Sequence, residues 1–323
     1  AAKQAGAERI VAVVGHCKEQ VIPLVQDETE IVVQPDRKGT ADAVAVCREA
    51  LADFDGSLLV LSGDCPLITA ATVERLVSER EAANAAVSLL TMKLPDPYGY
   101  GRIIRNDEGN VVGIVEQKDA TDDQALIKEC NAGFYCFDSK WVFEALTHID
   151  NNNAQGEFYL TDVIALAVEQ GRAVAAVTTD NPHECLGVNS RVQLAQATKV
   201  MQQRINSVHM ANGVTMIDPD QVWIGPDVQI DQDVELLPQT FLMGKTAVGE
   251  DSVIGPNTRL TDTIVGRGCR VDETVAIEAQ IDDGATAGPR AYLRPAAHLC
   301  EGAKAGTHVE ITKSTVGKGS KVP

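Results

Sequence analysis

From Ile224 onward an aliphatic residue returns at every sixth position: Ile224, Ile230, Leu236, Leu242, Val248, Ile254 and Leu260. The step slips by one to Val265, continues through Val271 and Ile277, and slips again. It resumes as Ile281, Ala287, Leu293, Leu299, Ala305 and Ile311 before a last slip to Val316 and Val322. A helix repeats near 3.6 residues and a strand at 2, so a period of six belongs to neither. It fits one flat face of a triangular coil, three hexads to a turn. The aliphatic residues then stack inside and small or turn-forming residues stand at the corners, as in "VGEDSVIGPNTR" and "VGKGSK". Successive β-hairpins would not hold that step over seven positions. This part of the chain is therefore expected to form a parallel β-helix. Its exposed ends and flat sides invite covering, so trimerisation is expected.

The upstream sequence follows a different rule. "AAKQAGAE" reads as helix and "RIVAVVGH" and "EIVVQ" as strands; "GTADAVAVCREALADF" has helical spacing and "SLLVLSGD" is a continuous apolar run. Helix and strand alternate, and the strands lack polar alternation, which predicts a parallel sheet covered on both faces. "GRIIRNDEGNVVGIVE" reads as a hairpin turning at "NDEGN", and "SRVQLAQATKVMQQRINSVHMANG" as a long connecting helix. The expected division is 1–191, a helical linker over 192–212, and the coil from 213 to 323.

Composition narrows the function classes. With 323 residues and 44% apolar content the chain buries a sizeable core, while a formal charge of −18 repels nucleic acid and anionic membrane. No apolar run reaches the roughly 18 residues of a membrane helix, and no signal peptide opens the sequence. The eight cysteines form no CxxC pair and no zinc-type spacing with histidine, so they read as reduced thiols of a cytoplasmic protein.

"LLVLSGDCPLIT" ends a buried run on Asp64, between Gly63 and Pro66. Ligands of open α/β sheets gather at the carboxyl ends of strands, and a carboxylate there suits a hard divalent cation bridging phosphates. The other use, capping the next helix, falls better to Thr69. "QPDRKGTADAV" sets Gly39 and Thr40 at a helix mouth with outward N–H groups, able to take a phosphate or a base edge or simply to cap the helix. Gln34 adds an amide that donates and accepts, as a uracil edge requires. Gly101, Glu116 and Asn131 stand among apolar residues. Gly101 would let backbone approach a ligand, and the other two would take sugar hydroxyls and an amide. Taken singly, each is equally a turn glycine, a surface ion-pair partner or a structural amide.

Taken in order, "SGDCPL", "YGYGR", "GIVEQKDA", "NAGFY", "NNNAQGEFYLTDVI" and "GVNSRVQLA", then hexapeptide repeats with "YLRP" and "VGKGSKVP", resemble one family across essentially the whole chain. It is the bifunctional bacterial N-acetylglucosamine-1-phosphate uridylyltransferase and glucosamine-1-phosphate N-acetyltransferase family. The resemblance implies a Rossmann-like α/β nucleotidyltransferase domain followed by a left-handed parallel β-helix. It implies that Asp64 and Asn189 hold Mg²⁺ and that Gln34, Gly39 and Thr40 read uracil. It further implies that Ser62 and Gly63 line the nucleotide and that Gly101, Glu116 and Asn131 hold the amino sugar. The implied reactants are UTP with N-acetylglucosamine 1-phosphate, and acetyl-CoA with glucosamine 1-phosphate, whose phosphate Arg294 would bind.

Three departures qualify that expectation. The family's Gly-rich phosphate loop is expected ahead of "AAKQAGAERI", and its acetyltransferase histidine after Pro323, so no catalytic residue of that half is assigned within this sequence. Thr312 stands where the family has lysine, with Lys313 one place on, and "GTHVE" with Thr307 replaces Gly-Asn-Phe. The chain as given is therefore expected to be inactive by itself. Two other readings are a different hexose-1-phosphate nucleotidyltransferase with a β-helix tail, and a non-enzymatic trimeric scaffold.

Overall fold

The computed structural model describes residues 1–323, which divide into two compact units, 1–193 and 194–323. In the first, the elements in order are β1 (Val11–Val14), α1 (Lys18–Val25), β2 (Glu30–Val33), α2 (Thr40–Ala45), β3 (Ser57–Val60) and α3 (Ala70–Ala82). Then come β4 (Val87–Lys93), β5 (Arg102–Arg105), β6 (Val111–Val115), α4 (Asp122–Ala125), β7 (Glu129–Asp138), α5 (Ser139–Ala145), α6 (Asp162–Glu169) and β8 (Val174–Thr178). Helix α7 (Arg191–Ala211) begins at the end of this unit.

The sheet is mixed, which corrects the expectation of a parallel one. Its order is β6-β5-β7-β4-β8; β4 and β8 run parallel, whereas β7 is antiparallel to β3, β4 and β5. β1 and β2 form a separate parallel pair. Apolar runs report burial on both faces, not strand direction, and the six residues Val87–Met92 of β4 are all buried. The hairpin β5–β6 forms as predicted. "AAKQAGAE" forms turns rather than a helix, with Gly6 at φ 83°, and α2 stops at Ala45, six residues long.

Opposite β7 the ladder breaks: Leu89 faces Tyr135, but Thr91 faces Asn131. The extra residues make a bulge on Gly133, whose φ of 78° is a left-handed conformation suited to glycine. On the other edge of β7, β5 pairs at Cys130 and β3 pairs at Tyr135–Asp138. The bulge therefore lies between the two strands that share this edge.

In the second unit short strands from Thr215–Met216 to Lys321–Val322 stack into three parallel sheets, each strand pairing with the third one after it. This is the β-helix, left-handed in its family, with the aliphatic ladder as its core. One rung differs from the sequence reading. Ala276, fully buried, stacks between Leu260 and Leu293, while the larger Ile277 faces partly outward. Faces of five residues at 260–265, 271–276, 276–281 and 311–316 explain all the slips. Bulk misled the sequence reading here, because the stacking position is set by the coil's register.

Two residues before each rung from Leu242 to Ala305 lies a second inward row. It is Thr240, Thr246, Ser252, Thr258, Thr263, Cys269 and Thr274, then Ala279, Ala285, Ala291, Ala297 and Ala303. The buried hydroxyls each donate to a backbone carbonyl, as Thr240 does to Leu237 at 2.7 Å and Thr274 to Asp272 at 2.6 Å. Within this unit, α7 closes the first coil: Gln202 Nε2 donates to the Val222 carbonyl at 2.7 Å and Asn206 Nδ2 to the same oxygen at 2.9 Å. No helix of the structure is long and apolar enough to cross a membrane.

Candidate functional site

Asp64 lies in the turn after β3, exposed, and does not cap α3: Thr69 Oγ1 accepts from the Thr72 N–H instead. The segment bearing Asn189 is brought to Asp64 by the backbone, since the Val188 N–H donates to the Asp64 carbonyl at 2.8 Å. Between the two side chains lies Gly187. A Cβ built there would stand 3.6 Å from Asp64 Oδ2 and 3.6 Å from Asn189 Nδ2, so the two polar ends lie within twice that distance of each other. An acidic oxygen and an amide, both open to solvent, fit a hard cation that keeps several of its waters.

Glu184, which the sequence reading passed over, holds this segment in place. Its buried carboxylate accepts from Thr69 Oγ1 at 3.1 Å and Thr72 Oγ1 at 2.6 Å, tying the turn Pro182–Cys185 to the start of α3. Only its position between "NPH" and "CLGVNS" marks it in sequence.

Ser62 links this end to the bulge. Its hydroxyl donates to the Gly133 carbonyl at 3.2 Å, and the Gly133 N–H donates to Asn131 Oδ1 at 3.1 Å. Asn131 Nδ2 in turn donates to the Tyr135 hydroxyl at 2.6 Å, and the Asn131 N–H to the Gly101 carbonyl at 2.9 Å. Gly101 faces Glu116: an added Cβ would meet both carboxylate oxygens at 3.4 Å and Ile114 at 3.0 Å. The structure thus brings Ser62, Asn131, Gly101 and Glu116 into one continuous wall. Gly63, exposed between Ser62 and Asp64, has open space where a side chain would be.

Arg102 was also missed, although it closes "YGYGR". Nearly fully buried, it donates to the Tyr100 carbonyl and to Gln117 Oε1 at 2.8 Å, fixing the backbone on either side of Gly101.

Burial pushes the Glu116 carboxyl up from its ordinary value, against the Thr161 hydroxyl that donates to Oε1 at 3.2 Å and favours the ionised form; Asp162 and Asp119 push it further up. A carboxyl with a raised folded-state pKa costs nothing below its unfolded pKa, and its penalty grows as pH rises toward the folded value. Glu116→Gln is therefore expected to match the parent protein in urea midpoint near pH 4 and to exceed it at pH 7. A variant less stable at pH 7 than at pH 4, relative to the parent, would contradict this.

The uracil candidates are more engaged than their sequence implies. The Gln34 amide donates to Asp42 Oδ2 at 2.7 Å and to the Gly39 carbonyl at 3.2 Å. The mouth of α2 is not open either: the Ala41 N–H donates to the Phe158 carbonyl at 3.0 Å, and Thr40 Oγ1 accepts from the Leu160 N–H at 3.0 Å. Gly39, at φ 123°, is packed so closely that a Cβ would fall 2.3 Å from the Phe158 carbonyl oxygen. The outward N–H expected here is thus taken up at Ala41. The strap 158–161 accepts the Ala41 N–H, donates to Thr40 Oγ1 and carries Thr161 on to Glu116. "GIVEQKDA" and "NNNAQGEFYLTD" meet again where Lys118 Nζ donates to Gln155 at 2.6 Å and the Ala154 N–H to Asp119 at 3.0 Å.

In the second unit, Arg294 is about half exposed, paired with Glu310 at 3.0 Å and set over the Tyr292 ring. Thr307, Thr312 and Lys313 are exposed, the last at φ 44° on a corner.

Comparison with known proteins accounts for this arrangement. Residues 3–207 match the nucleotidyl transferase family. The "Bifunctional protein GlmU" of Geobacillus sp. (strain WCH70) is 45% identical over 318 residues, 98% of this chain and 69% of that protein. Those of Lactobacillus johnsonii and Shouchella clausii are 42% and 43% identical, over 100% and 98% of the chain and 70% and 69% of their own lengths. The chain belongs to the GlmU family. Membership in GlmU makes it a transferase of the nucleotidyl transferase class, the class its motifs indicate. All eight cysteines are free, and burial pushes Cys65, with Asp64 beside it, and Cys185 up to about 12.

Proposed function

We propose that the first unit transfers the uridylyl group of UTP to N-acetylglucosamine 1-phosphate, and that the second belongs to the acetyl-CoA-dependent half of the same synthesis of UDP-N-acetylglucosamine. The convergence of Asp64 and Asn189 on Gly187, at one end of the wall that runs through Ser62 and Asn131 to Glu116, carries the reading. A phosphate oxygen of the sugar attacks the α-phosphorus in line, and the bond from that phosphorus to the pyrophosphate oxygen breaks; no protein nucleophile is consumed. Mg²⁺, held by the Asp64 carboxylate and the Asn189 amide oxygen, would offset phosphate charge when bound. Ser62 and Gly63 border the nucleotide, and Gln34, Gly39 and Thr40 the base. Glu116 accepts from a sugar hydroxyl, while Asn131, fixed by Gly133 and Tyr135, borders the acetamido group beside Gly101.

In the intact protein with Mg²⁺, N-acetylglucosamine 1-phosphate is expected to exceed glucose 1-phosphate in kcat/KM by about 10²-fold or more, because polar groups shaped for the amide are left unpaired by a bare hydroxyl. Equal turnover of the two sugars would favour a different hexose-1-phosphate nucleotidyltransferase.

In the second unit Arg294 is proposed to exchange Glu310 for the phosphate of glucosamine 1-phosphate. The flat outer faces of the three sheets support a homotrimer, to be read by light scattering as three times the 34.5 kDa chain mass. A monomer at micromolar concentration would end that proposal. Eight unpaired thiols support a reducing, cytoplasmic setting.

A further inference from the structure

We propose that Asp282, His298 and Cys300 form a zinc-binding site on one flat side of the β-helix, a site that the transferase chemistry does not use. The coil's register makes it. Ile281 and Leu299 are paired inward rungs of adjacent strands, so the residues flanking them face out. The Asp282 N–H donates to the Leu299 carbonyl at 2.8 Å, which seats Asp282 beside Cys300 and two residues along from His298. The three donor atoms, a carboxylate oxygen, an imidazole nitrogen and a sulfur, all lie within 4.8 Å of one another. Around tetrahedral zinc, with bonds of about 2.0–2.3 Å, ligand atoms sit about 3.3–3.8 Å apart, so the triangle needs only side-chain adjustment to close on the ion.

Four further features fit a cation. Gln280 Nε2 donates to Asp282 Oδ1 at 2.8 Å, orienting the carboxylate so that Oδ2 faces His298 Nε2 at 2.7 Å. The corners stacked on either side are glycines, since the Gly266 N–H reaches the Ile281 carbonyl and Gly317 follows Val316, whose carbonyl accepts from Cys300. No side chain from those corners therefore stands over Asp282 or Cys300, while Thr315 is in register with His298. Asp282 and His298 keep 32% and 30% of their side-chain surface exposed, leaving a fourth coordination position open to water. A groove of about 340 Å³ runs up to His298 and is lined also by Asp262 and Glu278.

The donor set selects the metal. Sulfur and imidazole suit zinc and cobalt, whereas magnesium and calcium prefer oxygen alone. On binding, the cation replaces the proton that bridges His298 Nε2 and Asp282 Oδ2, which passes to Nδ1 or to solvent according to the charge of the ring. The Cys300 thiol releases its proton to solvent and ligates as thiolate.

The test is a Co²⁺ titration of the intact, chelator-stripped and reduced protein, followed by displacement with Zn²⁺. One equivalent of Co²⁺ per chain is expected to raise a thiolate-to-cobalt charge-transfer band, which stoichiometric Zn²⁺ abolishes. Cys300→Ser, a near-isosteric change at a partly exposed site, should lose the band and bind Zn²⁺ more than about 100-fold more weakly in competition with a chromophoric chelator. Gln280→Ala should lose about 10-fold through its effect on Asp282. Circular dichroism of both variants checks that the coil is intact, and His298→Gln provides a second removal of a ligand. No charge-transfer band in the parent, a band that survives Cys300→Ser, or equal zinc affinity in parent and variants would overturn the site and leave an ordinary histidine–aspartate pair.

Discussion

Asp64→Ala is expected to lower uridylyl turnover in the intact, Mg²⁺-supplied protein about 10³-fold while leaving the folded state unchanged. The size follows from removing a charge that acts on the reacting phosphates in a fixed site. Stability should hold because the carboxylate is exposed and its one side-chain partner is the weak Cys65 thiol at 3.6 Å. Asn189→Ala should act in the same direction but less strongly, since it removes a neutral donor. Steady-state rates against Mg²⁺ concentration separate the cases: an Asp64→Ala protein whose rate is restored by excess Mg²⁺ has lost affinity alone, and one with the parent's rate would refute the metal assignment.

The second large effect concerns the coil. Gly288→Ala is expected to cost more than about 4 kcal/mol, whereas Gly302→Ala should cost about 1 kcal/mol. Both glycines are left-handed, with φ of 103° and 65°. They differ in what lies behind them: a Cβ at Gly288 would land 1.9 Å from the Asp272 carbonyl oxygen and 2.7 Å from Thr274 Oγ1, and at Gly302 it would meet nothing within 4 Å. The contact at Gly288 is with backbone that itself pairs onward, the Asp272 N–H donating to Ala287, so it has little freedom to move away. Guanidinium unfolding of the two variants compares them directly. Equal costs would show that torsion, not contact, sets the penalty at these corners.

The sequence revealed different parts of this molecule unequally, for physical reasons. The six-residue period exposed the coil because each face repeats one simple environment, and it misplaced only the Ala276 rung, where size and register disagree. Strand direction in the first unit was hidden, since a buried run looks alike in a parallel or an antiparallel neighbour; β7 lies antiparallel to three partners without any local mark of it. Asp64 was visible as a charge ending an apolar run. Its pairing with Asn189 came only from the family resemblance, because their closeness depends on the Val188–Asp64 backbone bond between distant segments and on Glu184 anchoring the second of them. The mouth of α2 looked open because nothing near Gly39 in the chain announces that Phe158 will close it.

The inward row beside the aliphatic ladder changes character along the coil, and this has a mechanical consequence. From Thr240 to Thr274 most corners carry a side-chain tether to the backbone, each worth about 1 kcal/mol. From Ala279 to Ala303 a methyl group stands in that place, and main-chain bonds hold the corners instead, the Ala297 N–H donating to the Arg294 carbonyl at 2.9 Å and the Ala303 N–H to the Cys300 carbonyl at 2.8 Å. A prism assembled this way is braced by hydroxyls in one stretch and by main-chain turns in the next. Arg294, His298 and Cys300 project from the second stretch, so replacing their side chains removes none of the main-chain bonds that hold its corners.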